Sequence, residues 1–143
     1  MGVAIQRVFV FGTLKEGFPN FATNKGTRLP GDFVTRERYP LYLVGERHSP
    51  WLIDLPGEGE QVVGQVFEVD EETLRAMDRL ERVDEPDGYR RVTIRVRAPA
   101  GQDMAVFVYF KQARDFDRAD ARTGPLAEYK PEHAALYRPR QNG

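Results

Sequence analysis

Residues Tyr89–Phe110 constrain the fold of this chain more than any other stretch. Tyr89–Arg97 alternates strictly, with Val92, Ile94 and Val96 on one side and Arg91, Thr93, Arg95 and Arg97 on the other. Successive strand side chains point to opposite faces, so this is a strand with one wet face. Pro99-Ala100-Gly101-Gln102 has the composition of a hairpin connection, and Met104–Phe110 resumes as an apolar run that fits a strand buried on both faces. Two strands joined by so short a link pair antiparallel.

The rest of the chain adds strands to this hairpin. Arg7-Val8-Phe9-Val10-Phe11 is a second run buried on both faces, ending at Gly12-Thr13. A loop spans Gly12 to Asn20, and a short helix is expected at about Phe21–Lys25. Asp32–Val44 holds one or two strands broken at Pro40. The stretch from His48 to Gly59 is rich in proline and glycine, yet Trp51, Leu52, Ile53 and Leu55 make it too apolar for a free linker, so it should pack on the body. Val62–Asp70 reads as a strand with Val63, Phe67 and Val69 on one face. Asp70 then caps a helix whose first turn carries Glu71 and Glu72, matching the positive end of the dipole. That helix runs to about Arg82, and Asp84–Gly88 is a turn cluster. From Ala113 onward the chain is expected to be irregular or weakly helical. The expected architecture is α+β: one domain over residues 1–143, built on a small, mostly antiparallel β-barrel-like sheet with flanking helices.

Composition excludes several functions. With 143 residues the chain can bury a core without staples, and it has no cysteine for disulfides or thiolate metal sites. The 21 basic and 22 acidic residues nearly cancel, so no strong field for nucleic acid or membrane follows. No apolar run reaches the ~20 residues of a membrane helix, and the first ten residues lack the apolar core of a signal peptide. A cytoplasmic protein is the expectation. His48 and His133 are the only histidines, too few to favour a metal site. Arg91, Arg95 and Arg97 fit a solvated strand face better than a phosphate grip.

Two features point to chemistry. Projected at about 100° per residue, Leu74, Met77 and Leu80 form an apolar arc, and Glu81 falls inside it, with Asp78 on its margin. An inward carboxylate is uncommon because removing its charge from water is costly. Glu81 either reaches solvent or an arginine from the last turn, or serves as a general base or acid with a raised pKa. The second feature is the loop Phe11-Gly12-Thr13-Leu14-Lys15-Glu16-Gly17 after a buried strand. Gly12 permits close backbone approach, and the turn is either a plain strand ending or a cradle of amides for a carboxylate or oxyanion.

The segment Val8–Lys15, with Gly17 and Pro19-Asn20, resembles the opening motif of the γ-glutamylcyclotransferase-like, or AIG2-like, superfamily. Ser49-Pro50-Trp51-Leu52 with Leu55-Pro56-Gly57, Gly64–Asp70, Met77–Glu81 followed by Tyr89-Arg90-Arg91, and the ending Tyr137–Asn142 are similar to its γ-glutamylamine cyclotransferase branch. The resemblance implies a barrel-like α+β fold with a cavity at one end. It also implies Glu81 as the catalytic residue and Phe11, Gly12, Thr13 and Leu14 as the substrate loop. Phe11 stands where the family usually has tyrosine. Tyr109, in a buried strand, is a further candidate for the cavity, or else a core tyrosine. Arg138 and Arg140 in the tail are candidates to close over the site. At least one cis proline is expected at Pro50 or Pro56.

The branch acts on γ-glutamyl-ε-lysine, releasing 5-oxoproline and lysine, with no metal or cofactor. Cyclisation needs the substrate's α-amine, with a reference pKa of about 8 in peptides, to lose a proton. A glutamate at about 4.3 is a weak base, and burial raises it by roughly 2–3 units. Each well-placed oxyanion donor contributes roughly 3–4 kcal/mol. The partner expected is a small γ-glutamyl compound. A sibling enzyme for another γ-glutamyl compound and a non-catalytic binding protein remain open alternatives.

Overall fold

The computed structural model describes residues 5–139. Nine strands and two α-helices are present among them: β1 (Gln6–Val10), β2 (Thr27–Arg28), β3 (Phe33–Thr35), β4 (Leu41–Val44), β5 (Ser49–Leu52), β6 (Val63–Val69), α1 (Glu71–Leu80), β7 (Arg90–Arg97), β8 (Asp103–Phe110), β9 (Ala121–Thr123) and α2 (Pro131–Ala134).

The hairpin is as the alternation requires. β7 and β8 pair antiparallel from Arg90↔Phe110 to Arg97↔Asp103, and the Gly101 amide donates to the Ala98 carbonyl at 2.9 Å to close the turn. From there the sheet curls into a ring. Its order β1-β8-β7-β3-β6 returns to β1 because β6 also pairs with β1, giving a closed five-stranded barrel with β2 appended to β6. Only the β1–β8 seam is parallel; the other four are antiparallel. Closure removes the edges on which an open sheet would aggregate.

β1 is buried on both faces because it separates two apolar clusters. Phe9 points into the barrel with Phe33, Val66, Val96 and Val108. Val8 and Val10 point outward and, with Phe67 and Tyr109, form the seat on which Leu74 and Met77 of α1 pack. The Asp70 carboxylate accepts from the Thr73 amide at 2.8 Å and starts the helix as its sequence predicts. Helix α1 buries Thr73, Leu74 and Met77. Leu80 is not part of that seat. It is 37% exposed because the last turn runs off the barrel and reaches the mouth of a cavity.

Other elements depart from the sequence reading. The helix expected at Phe21–Lys25 is a single 3-10 turn, Phe21–Thr23. The proline-rich loop contains a strand: β5 pairs with β4, placing Pro50 opposite Leu43. Proline lacks the amide a central strand needs, and β5 lies at the edge of the three-stranded sheet β5-β4-β9. The segment after Ala113 supplies β9 to that sheet and the fully buried Tyr129 to the barrel core, contacts between distant residues that local patterning does not signal. Neither Pro50 nor Pro56 follows a cis bond; the cis bond among the described residues is Gly124–Pro125. No helix among the described residues is long and apolar enough to cross a membrane.

Candidate active site

The turn after β1 is built to leave its amides open. Its carbonyls are all used: Gly12 O accepts from the Lys15 amide at 3.0 Å, Thr13 O from the Asn20 amide at 2.8 Å, and Leu14 O from Asn24 Nδ2 at 3.1 Å. No acceptor for the amides of Gly12, Thr13 and Leu14 is found among the described residues. Asn20 Nδ2 braces the turn further by donating to Thr13 Oγ1 at 2.8 Å. Gly12 is required by its neighbour, since a Cβ there would sit 2.8 Å from Pro50 Cγ. The apolar strand β5 thus presses directly on the loop, a contact that the proline-rich segment could make only by packing back.

These amides line a cavity of about 370 Å³ at one mouth of the barrel, together with Glu81 and Tyr109. The cavity therefore brings together the candidate catalytic and substrate-binding residues proposed from sequence, Glu81, Phe11, Gly12, Thr13, Leu14 and Tyr109, but not the tail candidate Arg138. Glu81 is half-buried rather than fully enclosed. It is the C-terminal cap of α1, its amide donating to Met77 O at 2.9 Å and its carbonyl accepting from the Tyr89 amide at 3.0 Å. The chain between these two bonds doubles back tightly. Arg82 takes a left-handed φ of 54°, and a Cβ on Gly88 would lie 1.7 Å from Arg82 O. Glu81 is thereby tied to both α1 and the start of β7. The negative end of the helix dipole does nothing to assist an ionised carboxylate there. Among the described residues, Glu81 is the only acidic side chain lining this cavity.

Phe11 is buried and packs into the barrel core as well as lining the cavity, so its ring serves as wall. Tyr109 gives its hydroxyl hydrogen to Asp78 Oδ1 at 2.7 Å, and Arg91 Nη1 donates to Asp78 Oδ2 at 2.7 Å. Arg91 also lies over the Phe107 ring at 4.7 Å. It is therefore not part of a purely solvated strand face. Burial first, then the Asp78 bond and the Glu81 charge, push the Tyr109 phenol far above its usual range.

Four contributors escaped the sequence reading of the site: Tyr89, Asn20, Arg47 and Tyr137. Tyr89 donates to Pro50 O at 2.8 Å, and burial, followed by the nearby Glu81 charge, raises its phenol strongly. Arg47 Nη2 and Asn20 Nδ2 both donate to the Tyr137 hydroxyl, at 3.2 and 3.3 Å. Arg47 Nε also donates to Arg138 O at 3.0 Å, so the tail runs along the cavity with its backbone, not the Arg138 guanidinium, making the recorded contact. Arg140 lies outside the described residues. The signals available were the presence of Asn20, Tyr89 and Tyr137 within the motifs that carry the resemblance; nothing local marked Arg47. His133 is occupied in capping α2, its Nδ1 accepting from the Lys130 amide at 2.8 Å.

A closed five-stranded barrel with one carboxylate and a glycine turn lining the same cavity is the architecture of a small barrel enzyme suited to proton-coupled acyl chemistry. Residues 8–131 match the family described as Gamma-glutamyl cyclotransferase, AIG2-like. The chain belongs to this family. It is 35% identical to the gamma-glutamylaminecyclotransferase of Homo sapiens, over 94% of this chain and 97% of that protein. It is likewise 35% identical to the gamma-glutamylaminecyclotransferase of Bos taurus, over 94% of this chain and 83% of that one. The crystal structure of an AIG2-like protein from Mus musculus superposes with a TM-score of 0.82 at 33% identity, covering 97% of this chain and 99% of that one.

Proposed function

We propose that this chain is a γ-glutamylamine cyclotransferase, converting a γ-glutamyl amine to 5-oxoproline and the free amine. The observation that carries the reading is that Glu81 and Gly12, Thr13 and Leu14, whose amides find no acceptor among the described residues, line one cavity. The names of the relatives support the substrate class. The leaving amine we infer is lysine, from γ-glutamyl-ε-lysine, on the resemblance of the Pro50–Trp51 segment to that branch.

In the proposed reaction the γ-glutamyl group folds so that its α-nitrogen meets its own γ-carbonyl carbon. Glu81 takes a proton from the α-ammonium, and the freed amine attacks. A carbon–nitrogen bond forms to close the five-membered ring, while the bond to the departing nitrogen breaks. The attacking nitrogen sheds two protons on becoming the ring amide, and the departing nitrogen gains two on leaving as an ammonium. Glu81 relays them and ends as it began. The loop amides donate to an oxygen of the γ-glutamyl group, and intramolecular attack makes positioning the main contribution to rate. Nothing in this step calls for a metal or cofactor. The inferred partner is this small substrate, not nucleic acid or membrane, in the cytoplasm.

The test is Glu81→Gln, assayed for 5-oxoproline and lysine release from γ-glutamyl-ε-lysine. Turnover is expected to fall by at least about 10³-fold with Tm unchanged. A variant that keeps its activity would remove Glu81 from the mechanism.

A further inference from the structure

A buried cation lies behind the active-site cavity without lining it. Lys111, directly after β8, is 5% exposed and is not part of the cavity wall. Taking an ammonium out of water is costly unless partners offset the loss. Here the partners belong to both halves of the site. At its root, the Lys111 amide donates to Leu52 O at 2.8 Å and its carbonyl accepts from the Asp54 amide at 2.9 Å, which fastens it to the end of β5. At its tip, Nζ donates to Asp87 O at 2.5 Å, in the turn between α1 and β7. The same Nζ lies 4.4 Å from the Trp51 ring centroid and 4.6 Å from that of Tyr89, within the range at which a ring face attracts a cation.

The two rings lead to different parts of the site. The Tyr89 amide donates to Glu81 O at 3.0 Å, so the ring position and the carboxylate share one backbone link. Trp51 follows Pro50, whose ring would meet a Cβ on Gly12 at 2.8 Å and whose carbonyl accepts from the Tyr89 hydroxyl at 2.8 Å. We propose that Lys111 is a positioning residue, its ammonium setting the span between Glu81 and the glycine turn by holding Tyr89 and the Asp87 turn against Trp51. This rests on the cyclotransferase reading of the cavity. Lys111 acts through Tyr89 on one side and Pro50 on the other. A neutral side chain of equal length fills the same space, but it cannot donate to Asp87 O or draw two ring faces to one charge.

The absence of cysteine from the chain allows the charge to be removed and restored at this one position. Lys111→Met is compared with Lys111→Cys, whose single thiol is alkylated in the unfolded chain with bromoethylamine or with bromopropane before refolding. The first reagent rebuilds an ammonium of lysine length; the second gives the same length without charge. With γ-glutamyl-ε-lysine as substrate, kcat should fall about tenfold to a hundredfold in Lys111→Met and in the propyl form. KM should stay in place, as for a loss confined to the transition state. The aminoethyl form should return kcat toward wild type. Emission from Trp51, the only tryptophan, should shift when the ammonium is lost and return with it. Ile94→Ala, in the barrel core and outside the cavity wall, should lower Tm yet keep the wild-type kcat. A Lys111→Met chain with wild-type kcat, or a propyl form as active as the aminoethyl one, overturns the positioning role while leaving the cyclisation intact. If the wild-type chain releases no 5-oxoproline, the cyclotransferase reading fails and this role falls with it.

Discussion

Tyr109→Phe removes one hydrogen bond from a clasp that joins β8, α1 and β7. The Tyr109 hydroxyl and the Arg91 guanidinium both donate to Asp78 at 2.7 Å. A hydrogen bond to a charged group contributes about 1.5–3 kcal/mol net. The Asp78 side chain is 21% exposed and that of Arg91 30%, so solvent screening favours the lower end, about 1.5 kcal/mol. Unfolding entropy near Tm is about 2.1 cal/mol/K per residue. For 143 residues that gives about 0.3 kcal/mol/K, so Tm should fall by about 5 °C. Asp78→Ala loses both bonds and should lower Tm by about 7–10 °C. The double variant should be no worse than Asp78→Ala alone, because the tyrosine then has no acceptor to lose. Asp78 lies three residues before Glu81, so loosening the clasp also frees the last turn of α1, and kcat should drop about tenfold or more, with KM changing less. Thermal unfolding by circular dichroism and steady-state kinetics read both effects. Strictly additive Tm losses, or a Tyr109→Phe shift under about 1 °C, would refute the clasp as an energetic unit.

Gly12→Ala forces a Cβ to within 2.8 Å of Pro50 Cγ; the overpacking should cost about 1–3 kcal/mol, and displacement of the amide turn should suppress turnover more than the fall in urea midpoint accounts for. The Asp70 carboxyl is held below the usual aspartate value chiefly by the hydrogen bond it accepts from the Thr73 amide. Its contribution to stability is therefore present above that value and lost as pH falls through the lower folded pKa. Tm measured from pH 7 downward should show Asp70→Asn destabilised at neutrality and converging on wild type in acid. Four of the six tyrosines have raised phenols, with Tyr39 pushed up to about 12 by burial and Tyr89, Tyr109 and Tyr129 higher still. Their protonated forms stabilise the fold fully below pH ~10, and that contribution is lost as pH rises through the folded values. Absorbance near 295 nm should show these four ionising together with loss of ellipticity rather than before it.

Relations carried by neighbours in the chain were legible in the sequence. The β7–β8 hairpin follows from strict alternation around a short turn, because strand side chains can face only two ways. The cap at Asp70 and the course of α1 follow from a side-chain acceptor three residues before an orphan amide. The same periodicity brought Glu81 toward the inner side of the helix. It misjudged Leu80, because helical projection knows the direction of a side chain but not where the supporting barrel ends.

Everything that required distant residues to meet was decided by tertiary structure. Ring closure rests on β1 joining both β6 and β8, and no local pattern specifies a partner more than fifty residues away. The strand in Ser49–Leu52 was hidden by its proline, which is tolerated there because β5 is the edge strand of its sheet. Tyr129, in a polar tail, is buried by the barrel it plugs. Arg47 joins the site because the tail returns to meet it. The chain's local chemistry thus named the carboxylate and the glycine turn, but a cavity is a relation among surfaces, and only folding brings those surfaces within reach of one substrate.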